Sequence, residues 1–100
     1  MKWREKREPV TVRRELEIIN EQGLHARPAA QFVKRVRSFR SEIWLVKEGK
    51  RFSASSLIDV LRANLDCGAT ARLEAHGVDA DEALQDLGKL IAEFHEKETD

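Results

Sequence analysis

Gly23-Leu24-His25-Ala26-Arg27-Pro28-Ala29 marks the point where an extended segment turns into a helix. Upstream, Val10, Val12, Leu16 and Ile18 share one parity, and Arg13, Glu15 and Glu17 share the other. That two-residue period is a strand with one buried face, over residues 10–19. Arg14 breaks the apolar parity. Asn20-Glu21-Gln22-Gly23 reads as a turn. Downstream, Ala26, Ala29, Ala30, Val33 and Val36 recur at helical spacing, with Arg27, Gln31, Lys34, Arg35 and Arg37 largely elsewhere around the helix. Pro28 falls in the first turn, where a missing N–H costs nothing. A helix therefore starts near Ala26, and His25 stands at its N-cap.

The same reading extends along the chain. Ile43 to Val46 is a short apolar strand, Glu48-Gly49 a turn, and Lys50 to Ala54 the hairpin partner. Ser56-Leu57-Ile58-Asp59 resembles a capping box with Asp in place of Glu, opening a short helix through about Asn64. Its apolar set is Leu57, Ile58, Val60, Leu61 and Leu65. Cys67-Gly68 ends that region. Ala71, Leu73 and Ala75 alternate with Arg72, Glu74 and His76 in a last strand. Asp79 or Asp81 then caps a helix reaching roughly Glu96, with Ala83, Leu84, Leu87, Leu90, Ile91 and Phe94 on its buried side. The order is β-α-β-β-α-β-α. Alternating strands and one-striped helices imply an α+β fold, one antiparallel sheet covered on one side.

Composition narrows the function classes. One hundred residues, 41% hydrophobic, suit one small domain. Eighteen Lys and Arg balance eighteen Asp and Glu, so there is no general pull toward nucleic acid or an anionic membrane. Six aromatics with no stacking motif add nothing for nucleic acid. The single cysteine, Cys67, excludes an internal disulfide framework, and a structural zinc site lacks ligands. No cofactor is expected. The charged N-terminal residues 1–9 do not form a signal peptide, and a cytoplasmic protein without membrane insertion is expected. Residues 1–9 are read as a flexible extension, which Trp3 could tack to the body, 10–96 as the domain, and 97–100 as a tail.

The chemistry lies in the opening stretch. A helix N-terminus offers free backbone N–H groups and partial positive charge, which makes it an anion site. Histidine is not a favoured N-cap residue; either His25 is a plain solvent-exposed cap beside a solvated Arg27, or its ring has another task. Arg27 adds a positive fork suited to phosphate oxygens. The physical picture is a neutral imidazole nitrogen attacking a phosphoryl group, with the anion resting on Ala26 and Arg27 N–H groups and on the Arg27 side chain.

Gly-Leu-His-Ala-Arg-Pro-Ala resembles the active-site signature of HPr, the histidine phosphocarrier of the bacterial phosphoenolpyruvate-dependent phosphotransferase system. The resemblance covers about residues 10–95. It implies an open-faced β-sandwich of four antiparallel strands and three helices, and sugar transport as the setting. It implies that enzyme I phosphorylates His25, that Arg27 assists, and that an enzyme IIA-type acceptor takes the phosphoryl group. The protein is then a carrier with a phosphohistidine intermediate, not an enzyme, and a monomer. Ser56 matches a position that a regulatory HPr serine kinase modifies in some members. Leu57, Ile58 and Leu61 match the family's apolar docking patch. Asp59, Ser55 and Arg62-Ala63-Asn64 depart from the family pattern and bear on partner choice. The Leu65-Asp66-Cys67-Gly68 run resembles the nitrogen-related branch, NPr.

Other residues carry less. His76 and His95 are expected at the surface, and Cys67 as a small packing residue. Lys34, Arg35, Arg37 and Arg40 form a basic region that either faces an acidic partner or is simply solvated. The competing function is a regulatory binding module, read through phosphorylated His25 or Ser56 without sugar transport.

Overall fold

The computed structural model describes residues 8–19 and 21–98. Seven elements follow in the order β1 (Val10–Glu17), α1 (Ala26–Val36), β2 (Glu42–Lys47), β3 (Lys50–Ser53), α2 (Leu57–Arg62), β4 (Thr70–Gly77) and α3 (Ala80–Glu98). The four strands form one antiparallel sheet in the order β1-β4-β2-β3. β4, the last strand in sequence, lies between β1 and β2.

Strand parity decides which face is covered. Across the sheet Val12 lies opposite Ala75, which lies opposite Ile43, and Leu73 lies opposite Leu45. Ala71, Leu73, Ala75, Ile43 and Leu45 are all buried. Alanines on the central strand let the helices approach closely, and α3 packs across β1 and β4 while touching α1. Ala83, Leu84, Leu87, Leu90, Ile91 and Phe94 form its buried stripe, as the spacing predicts. The opposite face carries Arg13, Arg72, Glu74 and Trp44. Glu74 bridges Arg13 at 3.2 Å and Arg72 at 3.0 Å, and the Arg51 guanidinium stacks 4.2 Å from the Trp44 ring centre.

The breach of parity at Arg14 has a physical reason. Its guanidinium lies against Gly88 of α3, where a Cβ would come within 2.8 Å of Nε. The absent side chain leaves room for a long cation to cross the helix. The β2–β3 hairpin turns through Glu48 and Gly49, at φ 51° and 80°. Two successive positive φ values define a type I′ turn, whose twist matches the strands.

Several boundaries and stripes differ from the sequence expectation. β1 ends at Glu17 rather than residue 19. Ile18 is nevertheless fully buried, and it exchanges backbone hydrogen bonds with the loop before β4, its N–H to Ala69 O at 2.9 Å. Ile19 is exposed. In α1 the buried residues are Ala29, Phe32, Val33 and Val36, while Ala26 and Ala30 face solvent. Small alanines mark a helix face weakly; Phe32, absent from the expected stripe, is the largest fully buried side chain. The hairpin strand stops at Ser53 and α2 at Arg62, and α3 continues past Glu96 to Glu98. Trp3 and Asn20 lie outside the described residues.

Candidate functional site

His25 is the N-cap of α1. Its backbone is extended, at φ −91° and ψ −162°, and its carbonyl accepts the first helical bond from Ala29 N–H at 2.8 Å. Its side chain makes no capping bond. The ring is therefore not spent on the helix, and His25 is exposed. Helix geometry leaves the N–H groups of Ala26 and Arg27 without intrahelical acceptors, and Pro28, third in the helix, has none to satisfy. Arg27 is exposed beside them. No acidic residue occupies the first turn, so no carboxylate competes for that positive end.

The segment leading into His25 is held by the loop after α2. Leu24 N–H donates to Leu65 O at 2.8 Å, and Leu24 is buried. Gly23 has φ +66°, and a Cβ there would lie 2.6 Å from Leu65 O and 2.8 Å from Asp66 Cα. Only glycine combines that torsion with that approach. The opposite side of the loop is tied to the residue just past β1, with Gly68 N–H donating to Ile18 O at 2.7 Å. Sequence reasoning placed Gly23 in a turn but did not find its neighbour, because a contact 42 positions away leaves no local signal.

α2 presents the expected patch. Leu57, Ile58 and Leu61 are 36%, 65% and 38% exposed, whereas Val60 is fully buried. Ser56 caps this helix, accepting from Asp59 N–H at 3.3 Å. The capping box is only half made. The Asp59 carboxylate accepts from Ser53 N–H at 3.4 Å instead of from the Ser56 amide. Aspartate is one methylene shorter than the glutamate that usually closes the box.

The basic region divides. Arg35 pairs with Asp86 of α3 at 2.8 Å, and that carboxylate holds the guanidinium in its charged form. Arg37 Nε donates to Ser55 O at 2.8 Å. Lys34 is exposed. Cys67, expected to pack, is exposed, since its loop turns outward before Gly68. His76 is exposed as expected, its Nδ1 2.7 Å from Thr11 Oγ1. His95, also expected at the surface, is half-buried, and its Nδ1 has no hydrogen-bond partner among the described residues.

Fold and site together define an open-faced α+β sandwich presenting, at a helix N-terminus, an exposed histidine whose side chain makes no capping bond. The family model described as the phosphotransferase-system HPr component phosphorylation site matches residues 12–93. The chain belongs to the HPr family, the phosphocarriers of the phosphoenolpyruvate-dependent phosphotransferase system. The phosphocarrier protein HPr of Vibrio cholerae is 39% identical over 82 residues, covering 82% of this chain and 96% of that one. A multiphosphoryl transfer protein of Haemophilus influenzae is 42% identical over 78 residues, which are 75% of this chain and 16% of that one. The crystal structure of HPr from Bacillus anthracis superposes with a TM-score of 0.77 at 31% identity, over 80% of this chain and 95% of that one. These matches favour the carrier over the regulatory module without transport. Two further structures weigh against the expected monomer. One is a domain-swapped dimer of Crh from Bacillus subtilis (TM-score 0.67, 36% identity, 78% of this chain and 90% of that one). The other is an HPr dimer from Thermoanaerobacter tengcongensis (TM-score 0.68, 39% identity, 80% of this chain and 92% of that one).

Among the described residues, no helix is long and apolar enough to cross a membrane.

Proposed function

We propose that His25 is the phospho-acceptor of this carrier and that enzyme I is its donor. A neutral ring nitrogen of His25 forms the N–P bond as the bond from phosphorus to the donor breaks, and that electron pair leaves with the donor. The phosphoryl oxygens rest on the N–H groups of Ala26 and Arg27 and on the Arg27 guanidinium, which offset the charge gathered in the transition state. An enzyme IIA-type acceptor then attacks the same phosphorus and regenerates His25. The chain is a carrier and catalyses no turnover of a small molecule.

The observation that carries this reading is the N-cap histidine whose side chain takes no part in capping. Leu57, Ile58 and Leu61 supply an exposed apolar surface on which both partners dock in turn. An HPr serine kinase would act at Ser56, whose hydroxyl caps α2 by accepting the Asp59 amide. Residues 10–96 form the carrier domain; α3 carries on through Lys97 and Glu98, and residues 1–7, 99 and 100, read above as parts of an extension and a tail, lie outside the described residues. The free, exposed thiol of Cys67 accords with a reducing cytoplasm.

The test is a reconstituted relay of enzyme I, phosphoenolpyruvate and an enzyme IIA-type acceptor. Phosphorylation of the acceptor should require this chain and should be lost with His25→Ala. Transfer that persists with His25→Ala would overturn the assignment.

A further inference from the structure

Lys47 is the last residue of β2, and its parity places it on the helix-covered side of the sheet with Ile43 and Leu45. A lysine there is out of pattern for the strand, and its side chain is half-buried. Its ammonium group donates to two carbonyls just beyond α2, Ala63 O at 3.1 Å and Asn64 O at 2.7 Å. A cation at this end meets the negative pole of the helix and carbonyls that have no intrahelical donor.

The residue it grips is unusual. Asn64 has φ +58°, one of two non-glycine residues in the left-handed region among those described. Such a conformation persists where its surroundings over-determine it. Asn64 O also accepts Asp66 N–H at 3.0 Å, which folds the chain sharply around Leu65. That fold aims Leu65 O at Leu24 N–H, the 2.8 Å bond next to His25, and sets Leu65 and Asp66 against Gly23. A continuous set of contacts therefore runs from Lys47 through Asn64, Leu65 and Leu24 to His25.

We infer that Lys47 is a positioning residue for phosphoryl transfer, acting through the 63–66 loop to fix the His25 backbone over the α1 N-terminus. The inference rests on His25 being the phospho-acceptor. Lys47 touches no reacting atom. It holds the loop that holds the loop. Displacement of a reacting group by a fraction of an ångström slows transfer without weakening partner binding.

Lys47→Met keeps the aliphatic stem and removes the donor. Lys47→Arg keeps a charged donor. Ile91→Val, at a buried α3 position outside this set of contacts, serves as a mildly destabilised control. Each chain is phosphorylated with phospho-enzyme I over a range of carrier concentrations, and amide exchange at Leu24 is followed by NMR. Lys47→Met should lower the rate at saturation roughly tenfold with KM little changed. Exchange at Leu24 should be faster, and Lys47→Arg should recover most of the rate. A Lys47→Met chain that transfers as fast as the parent overturns the inference. So does a slowing that Ile91→Val reproduces, since that reflects stability alone. A rise in KM at unchanged saturating rate overturns it in favour of a docking contact. If the parent chain is phosphorylated somewhere other than His25, the functional reading fails and this inference with it. An unchanged Lys47→Met rate on a chain phosphorylated at His25 removes the inference alone.

Discussion

Replacing Gly23 by alanine tests the loop contact on which the site depends. The new Cβ would meet Leu65 O at 2.6 Å and Asp66 Cα at 2.8 Å, both backbone atoms that cannot rotate away. Ordinary contact begins at 3.4 Å, so the two loops must separate by several tenths of an ångström. That movement strains the 2.8 Å hydrogen bond from Leu24 to Leu65, worth about 1 kcal/mol net. The left-handed torsion adds about 1–2 kcal/mol for a residue with a Cβ. Together with the steric strain the expected loss is about 2–4 kcal/mol, a large share of the stability of a small domain. In a chain of this size that lowers the melting temperature by roughly 10–25 °C. Gly49→Ala is the internal reference. Its φ is also positive, at +80°, but a Cβ there meets nothing within 4 Å, so only the torsional cost applies. Urea unfolding of both variants beside the parent gives the comparison, with unchanged m-values as the check on two-state behaviour. A Gly23→Ala chain no less stable than Gly49→Ala would show that the close approach to the 65–66 backbone is not a constraint.

Three further outcomes follow from the core, the charges and the exposed patch. Phe32→Ala, which empties the largest fully buried position, should cost about 3–5 kcal/mol in denaturant unfolding. Burial alone would raise the Asp79 carboxyl, but hydrogen bonds from Ser41 Oγ and the amides of Arg40 and Ser41 outweigh it and hold it below the usual range. Its contribution is then present above the unfolded value of ~3.9 and is lost as pH falls through the lower folded value. Asp79→Asn should flatten the acid limb of a stability-against-pH curve in that window, and an unaltered limb would count against it. Ile58→Asp should leave stability within about 0.5 kcal/mol, and it should raise KM toward phospho-enzyme I roughly tenfold. An unchanged KM would remove Ile58 from the docking surface.

The order of elements was legible because each carries its own period. β4 alternates without interruption and α3 repeats its stripe over about three turns, and both appear where the pattern puts them. The helix start at Ala26 was legible from Pro28 and from the turn before it. Less was legible where alanine carries the pattern, and α1 shows this: two of its alanines face solvent and Phe32 fills the core. Tertiary contacts between distant loops were not legible. Gly23 against Leu65 and Asp66, Lys47 against Asn64, and Arg14 against Gly88 join residues whose partners no local spacing announces. Of the site, His25 and Arg27 stood out because histidine is a poor cap and arginine a good phosphate ligand. The support beneath them did not, because it is built from backbone groups that every residue shares.

The central claim is that the phosphoryl group is carried on the His25 ring. The direct measurement is intact mass and phosphorus NMR after incubation with enzyme I and phosphoenolpyruvate, beside His25→Ala. The expected result is a single acid-labile phosphoryl adduct with a nitrogen-bound phosphorus signal, absent from the variant. An adduct that survives in His25→Ala, or one that is acid-stable and bound through oxygen, would contradict it.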